Sequence, residues 1–351
     1  MQETNAVREA IGLGRRIFPR LADELSRRMF SDRLLYSLSG DMQYIWDMIG
    51  MTKTGKQMEE LISQGAQWMV FGAGLLGGQI ATHLAGHRMA GFIDNDRALQ
   101  GKKMHGQYVY SLKEVCRNGF SGSILIANYA HHWEIRKQLV ESGIPEERVF
   151  DFGQMMQSML SSQYFDLQEM PHAEEEAFVD VGALDGGTVP QFIRWSGGRF
   201  RHIYCLEPDE RNREACRRNL SAHLSEGTLS LFAVGAGAAR RDGVKFAAVG
   251  TGESRIDEKG ESIIQLVPLD ELLGNERITF IKMDIEGAEY DALLGAERII
   301  REQRPKLAIS LYHKPEDVLE IPSLILQYEP DYRFYVRHYS LSDTETVLYA
   351  I

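Results

Sequence analysis

Cysteine is scarce: Cys116, Cys205 and Cys216 are the whole complement in 351 residues, and no two form a CxxC pair. That excludes a disulfide framework or a thiolate zinc site, so free thiols are expected. Long apolar runs are missing too. No stretch approaches the length of a membrane helix, and the N-terminus lacks the apolar core of a signal peptide, so a cytoplasmic protein with no membrane partner is expected. Positive charge is the minority sign. Its 39 Lys and Arg stand against 50 Asp and Glu, a net charge of −11 that repels a phosphate backbone and argues against nucleic acid as a partner. No tyrosine is followed four positions on by lysine, which removes the Tyr-x-x-x-Lys pair that short-chain oxidoreductases use for proton transfer.

What is present reads as an ordinary globular chain, 44% hydrophobic and 25% charged, long enough for two cores. Around residue 180 an apolar strand, Phe178-Val179-Asp180-Val181, runs into the glycine-rich turn Gly182-Ala183-Leu184-Asp185-Gly186-Gly187. A strand feeding such a turn brings backbone N–H groups close to a nucleotide-like ligand. Here, however, Asp180 and Asp185 crowd the turn. Two carboxylates repel a pyrophosphate but suit a cationic amino-acid head such as the ammonium of S-adenosylmethionine (SAM). Asp180, Gly182, Ala183, Asp185 and Gly186 are therefore expected to line a SAM site.

Later elements follow in the order a nucleoside site requires. His202 to Leu206 is a second buried strand ending in Glu207, and an acid at that tip accepts hydrogen bonds from a ribose diol; Asp209 is placed to cap the helix that follows. The strand Ile278 to Met283 bunches its polar residues at its C-terminal end, the edge at which open parallel sheets bind ligands. Residues 282, 284 and 286 share one side of an extended strand, so Lys282, Asp284 and Glu286 are expected to point together. Asp284 counts as a SAM contact as well as a catalytic candidate. Lys282 is read either as part of the site or as a neutralising partner beside Asp284.

From Phe178 onward the chain resembles the FkbM family of SAM-dependent methyltransferases. The resemblance rests on Phe178 to Ala183, Leu206-Glu207-Pro208, Leu269-Asp270-Glu271-Leu272, the Lys-x-Asp-x-Glu-Gly-Ala-Glu run from Lys282 to Glu289, and Tyr312 to Asp317. It implies O-methylation of a hydroxyl, often on a sugar or a polyketide-type product, with a hydroxyl-bearing small molecule as partner. Many members carry Asn where this chain has Leu184, so the contact made by that side chain must come from Asp185 or from backbone.

Upstream, Trp68 to Phe71 is a strand leading into the GxGxxG turn Gly72 to Gly77, and the next strand ends in Asp94. That fits the dinucleotide fingerprint, with Gly72, Gly74, Gly77 and Asp94 forming a second nucleotide site; its turn holds no carboxylate, leaving the helix N-terminus free for phosphate. The segment resembles the nucleotide-binding-like domains of bacterial surface-sugar biosynthesis proteins. The expected architecture is α/β. A helical arm occupies residues 1–65, a Rossmann-like domain 66–153, a Met-, Gln- and Ser-rich linker 154–176, and a class I methyltransferase sheet with an antiparallel final strand 177–351. The arm's apolar helical spacing means it packs on a neighbour, either its own chain or a second subunit in a homo-oligomer.

SAM already carries its leaving group, so the protein must align the acceptor and exclude water. An alcohol also needs a general base. His313, just beyond the fifth core strand, is the first choice, because imidazole titrates near neutrality; Asp284 and Glu286 come next. With His313 these carboxylates form an alternative Mg²⁺ or Ca²⁺ site for a sugar diol. The rival functions are a nicotinamide-dependent oxidoreductase or epimerase using the Gly72 turn, and a non-catalytic nucleotide-sugar-binding protein.

Overall fold

In a computed structural model, which describes residues 2–63, 67–83 and 88–351, the chain divides into two compact units. One comprises residues 45–161 and 339–342, the other residues 1–44, 162–338 and 343–351. The expected arm boundary at residues 65/66 lies outside the described residues. No helix among the described residues is long and apolar enough to cross a membrane.

In the first unit, strands β1 (Trp68–Phe71), β2 (Met89–Ile93), β3 (Lys103–Met104), β4 (Gln107–Tyr110), β5 (Ser123–Ile126) and β6 (Val149–Asp151) form one sheet in the order β3-β4-β2-β1-β5-β6. All pairs are parallel except β3 with β4. Every residue of β1 is buried, as expected for a parallel strand covered on both faces. Ile93, Ile124, Ile126 and Leu139 centre the core.

The second unit holds the larger sheet. Its strands are β7 (Glu176–Val181), β8 (Phe200–Leu206), β9 (Leu229–Phe232), β14 (Phe280–Met283), β15 (Lys306–Ser310), β16 (Phe334–His338) and β17 (Thr346–Ala350), in the order β16-β17-β15-β14-β7-β8-β9. Only β17 runs antiparallel to its neighbours. This is the doubly wound sheet with an antiparallel final strand that the motifs implied. Between β9 and β14 lies a small sheet of β10 (Gly235–Ala236), β11 (Arg241–Ala247), β12 (Arg255–Ile256) and β13 (Ser262–Val267), in which β11 and β13 pair as an antiparallel hairpin.

Two segments take places that local sequence did not suggest. The described residues up to Tyr44 join the larger-sheet unit, whereas Ile45 to Ser63 belong to the other. Ala22 N–H bonds the Phe334 carbonyl, Ser26 Oγ accepts from Val336 N–H, and Asp23 both caps the helix Glu24–Ser39 and pairs with Arg337 at 2.7 Å. The edge strand β16 is thereby covered by its own chain, which satisfies main-chain groups that would otherwise template association. Residues 162–170 form a packed element of the unit. Tyr164, Leu167 and Met170 are buried, and the Phe165 ring lies 5.8–6.3 Å from Phe178, Phe192, Trp195 and Phe280. Burying each such large side chain contributes about 1.5–3 kcal/mol, enough to draw a Met- and Gln-rich segment onto the sheet.

Candidate active site

The larger sheet reverses its winding between β7 and β14, and ligands of doubly wound sheets sit outside the carboxyl ends at such a point. Gly182 leaves β7 at φ +84, and a Cβ there would lie 2.1 Å from the Asp284 carbonyl oxygen, so only glycine lets the two strand ends meet. Leu184 follows at φ +53, a left-handed conformation that Asn adopts more easily than Leu. Its N–H donates to Glu207 Oε2 at 2.8 Å, while Asp209 N–H donates to Glu207 Oε1 at 2.9 Å. One carboxylate thus ties the glycine turn to the tip of β8. Burial raises Glu207 from 4.5 to about 7, outweighing both N–H donors. Asp209 also accepts from Gly250 N–H and Ser254 Oγ, pinning the inserted loop beside the same tip.

The expected pair of carboxylates does not face the crevice together. Asp180 is fully buried, and its Oδ1 lies 3.0 Å from Lys282 Nζ, which also donates to the Gly182 carbonyl at 2.7 Å. Burial opposes a charge on Lys282, but Asp180 outweighs it and holds the ammonium protonated. Asp180 is already neutralised from within the sheet, so its charge is not available to anchor an ammonium. Asp185 is the exposed one, and its Oδ1 accepts from Gly187 N–H at 2.9 Å. Lys282 is thus a neutralising partner, in direct contact with Asp180 and acting on Asp284 through its charge alone.

Beyond β14 and β15 a second set of groups converges. Asp284 Oδ2 accepts from Tyr164 OH at 2.8 Å and its Oδ1 from Tyr312 OH at 3.0 Å. Burial works against ionisation of Asp284, yet Lys282, His313 and the Tyr164 hydroxyl keep its carboxyl below the usual range. Burial and Asp284 push both tyrosines well above 10, so they remain donors. His313 Nδ1 lies 2.9 Å from Glu289, and its Nε2 3.5 Å from both Asp284 and Glu286, as ion-pair contacts and not aligned hydrogen bonds. Burial disfavours its charge, but Glu286 and Glu289 raise it to about 10. This corrects the expected role. An imidazolium with both nitrogens against carboxylates has no lone pair with which to take a proton.

Sequence reasoning missed Tyr164, Tyr312 and Glu345. Glu345 stands just before β17 at φ +64, accepts from Gln163 Nε2 at 2.7 Å through Oε2, and meets Tyr312 OH at 3.5 Å through Oε1. Burial and the Asp284 charge raise it to about 7. The buried Arg33 donates to the carbonyls of Tyr312 and Asp343, bracing the two loops that carry these groups.

Asp284, Glu289 and His313 bring ligand-type atoms within 4.8 Å of one another. The donor set does not fit Mg²⁺ or Ca²⁺, which take oxygens. One of the three is the imidazolium, and the Glu289 oxygen beside it also accepts from Ile285 N–H. No divalent cation is supported.

In the other unit, Gly72 sits at φ +111 with the Ala127 carbonyl 2.8 Å from where a Cβ would lie, and a Cβ on Gly77 would meet the Gly72 carbonyl at 1.9 Å, whereas Gly74 is open. Asp94 accepts from Ala73 N–H and Asp96 N–H, both at 2.8 Å. That is the wiring of Glu207, repeated.

Comparison with known proteins agrees with this geometry. A family model described as Methyltransferase FkbM domain matches residues 180–334, and one described as C2185-like, N-terminal, matches residues 65–150. No curated protein matches the sequence. Among solved structures, an FkbM methyltransferase from Methylobacillus flagellatus KT is similar at 20% identity and a TM-score of 0.53, covering 93% of this chain and 99% of its own, which shows a shared fold. Fibrillarin from Aeropyrum pernix, solved with bound SAM, aligns at 13% identity and a TM-score of 0.34 over 55% of this chain and 74% of its own.

Proposed function

Since residues 180–334 are an FkbM methyltransferase domain and the protein is therefore a SAM-dependent methyltransferase, we propose that it methylates a hydroxyl of a sugar, nucleotide sugar or secondary metabolite. The observation that carries this reading is the division of one sheet edge into two chemically different halves. Over β7 and β8 lie a tight glycine turn, closed against the Asp284 carbonyl, and a carboxylate suited to a ribose diol, so Gly182, Ala183, Asp185, Gly186 and Glu207 are assigned to SAM. SAM supplies a methyl group already activated on a sulfonium. Over β14, β15 and β17 lie Tyr164, Asp284, Tyr312 and His313, polar groups matched to a hydroxyl-bearing acceptor.

Asp284 fixes both phenols, and the imidazolium of His313 offsets the surrounding carboxylates, so the half is rigid before an acceptor arrives. In the other unit, the repetition of the Glu207 wiring at Asp94 supports a nucleoside-type ligand at Gly72, Gly74 and Gly77 as well.

The test is an incubation with methyl-labelled SAM and a small-metabolite extract, with NMR of the labelled product. A methyl bonded to oxygen is expected; one on nitrogen or carbon, or no transfer, would remove the hydroxyl reading.

The Glu207 assignment carries its own pH dependence. Diol donors favour the carboxylate over the acid, so bound SAM lowers a group that otherwise titrates at about 7, and binding releases a proton below that pH. SAM affinity should therefore rise with pH up to about 7, by at most about tenfold per unit, and stay level above. Glu207→Gln should flatten the profile. Calorimetry in buffers of different ionisation enthalpy measures the proton directly, and equal heats at pH 6 would contradict the assignment. For stability alone the sign reverses. The folded state keeps this proton between 4.5 and about 7 where the unfolded chain has lost it, so this contribution declines as pH rises through that window.

A further inference from the structure

Resting on the hydroxyl-acceptor reading, we propose that Glu345 is the general base of the methyl transfer. The other polar groups at the acceptor half are each unsuited to take a proton. Asp284 has an oxygen on each of two phenols and a carboxyl held ionised by Lys282 and His313, which makes it a weak base. Glu286 is held against the imidazolium, and Glu289 is fully buried, closed off from an incoming acceptor, with its Oε1 against both that ring and Ile285 N–H. The imidazolium itself has no lone pair to offer. Tyr164 and Tyr312 keep their protons far above neutral pH.

Glu345 differs from all of these in geometry. One oxygen accepts from Gln163, while the other has only the long 3.5 Å approach of Tyr312, leaving a lone pair for an incoming hydroxyl. Its place in the fold is also apt. Because β17 runs antiparallel, its first residues lie at the carboxyl edge of β15, where Leu311 N–H bonds the Thr346 carbonyl, so the residue before them stands over the acceptor half. Glu345 holds φ +64, a conformation costing a non-glycine residue about 1–3 kcal/mol, and such strain concentrates where a side chain must be aimed.

The groups acting on Glu345 are Asp284 and Lys282 from β14 and its end, Tyr312 and His313 from beyond β15, and Gln163 and Tyr164 from the segment before β7. Burial and Asp284 raise it while Gln163, His313 and Lys282 oppose them, leaving it at about 7, where a base is half ready at physiological pH. In the step, the acceptor O–H proton moves to the Glu345 carboxylate as the oxygen bonds the methyl carbon. The methyl–sulfur bond breaks, its electron pair stays on sulfur as a neutral thioether, and the new carboxylic acid returns its proton to water.

The experiment uses the full chain, methyl-labelled SAM and the extract fraction that wild type labels, at saturating SAM so that Glu207 drops out of the profile. Wild-type turnover should rise with pH to a plateau above about 7. Glu345→Gln should lower turnover roughly 10²–10⁴-fold and lose that acid limb, with SAM affinity within about twofold of wild type. Glu345→Asp should restore part of the rate with a displaced limb. Turnover of Glu345→Gln within about fivefold of wild type, or an unchanged acid limb, would overturn Glu345 while leaving the hydroxyl reading intact. Absence of label transfer by wild type would overturn the hydroxyl reading, and the base with it.

Discussion

Replacing Lys282 by methionine is expected to destabilise the larger-sheet unit by about 3–5 kcal/mol, because it leaves the fully buried Asp180 carboxylate without its cation. Methionine fills nearly the same volume, so the loss is electrostatic and not a cavity. For a unit of this size that corresponds to a fall in Tm of roughly 6–20 °C. The Asp180→Asn/Lys282→Met double variant removes the stranded charge and should recover about half of the loss or more, a coupling readable from urea unfolding of the four proteins. Additive single effects would mean that the pair is a bystander. Lys282 also donates to the Gly182 carbonyl, so the single variant should weaken SAM binding even at temperatures where it stays folded.

Gly182→Ala should have the second large effect, acting on the donor half. The added Cβ would lie 2.1 Å from the Asp284 carbonyl and 2.9 Å from Ile285 Cγ2, at φ +84. The nearest obstacle is backbone, so no rotamer change relieves it, and strain plus overpacking amount to about 2–6 kcal/mol. SAM affinity should fall at least about 30-fold, or the unit should lose its cooperative melt. Gly187→Ala is the matched control. Its Cβ would meet only the Asp185 Oδ1 at 3.1 Å, with no positive φ, and calorimetry should find SAM binding nearly intact. Equal losses from the two substitutions would show that the turn tolerates neither methyl for some reason other than the Asp284 contact.

The parts of this molecule that local pattern could reveal are those whose signals lie within a few residues. The strands around residues 178, 203 and 281, the acid at the tip of β8, the helix cap at Asp209 and the 244–267 hairpin all follow from runs of apolar residues, glycine and one or two carboxylates. What escaped depends on long separations. Tyr164 lies in a segment whose composition suggests a tether, yet its hydroxyl meets Asp284 some 120 residues away. Glu345 occupies a short connection before the last strand, and only the antiparallel placement of β17 brings it to the site. The charge state of His313 depends on three carboxylates that converge in the fold, so a histidine beyond a strand end looked like a free base. Asp180 reads as a ligand because its position on the buried face of β7, and its cation on the neighbouring strand, are properties of the sheet and not of the turn.

The insertion of β17 between β15 and β16 has a consequence for synthesis on the ribosome. Until residues 346–350 emerge, a nascent chain presents two unpaired strand edges with an open slot between them, and Glu345 has no strand to hold it over the site. Exposed edges of this kind pair readily with strangers. Premature termination anywhere before that strand would therefore yield a sticky, inert product, and productive folding must wait for translation of the strand that closes the slot.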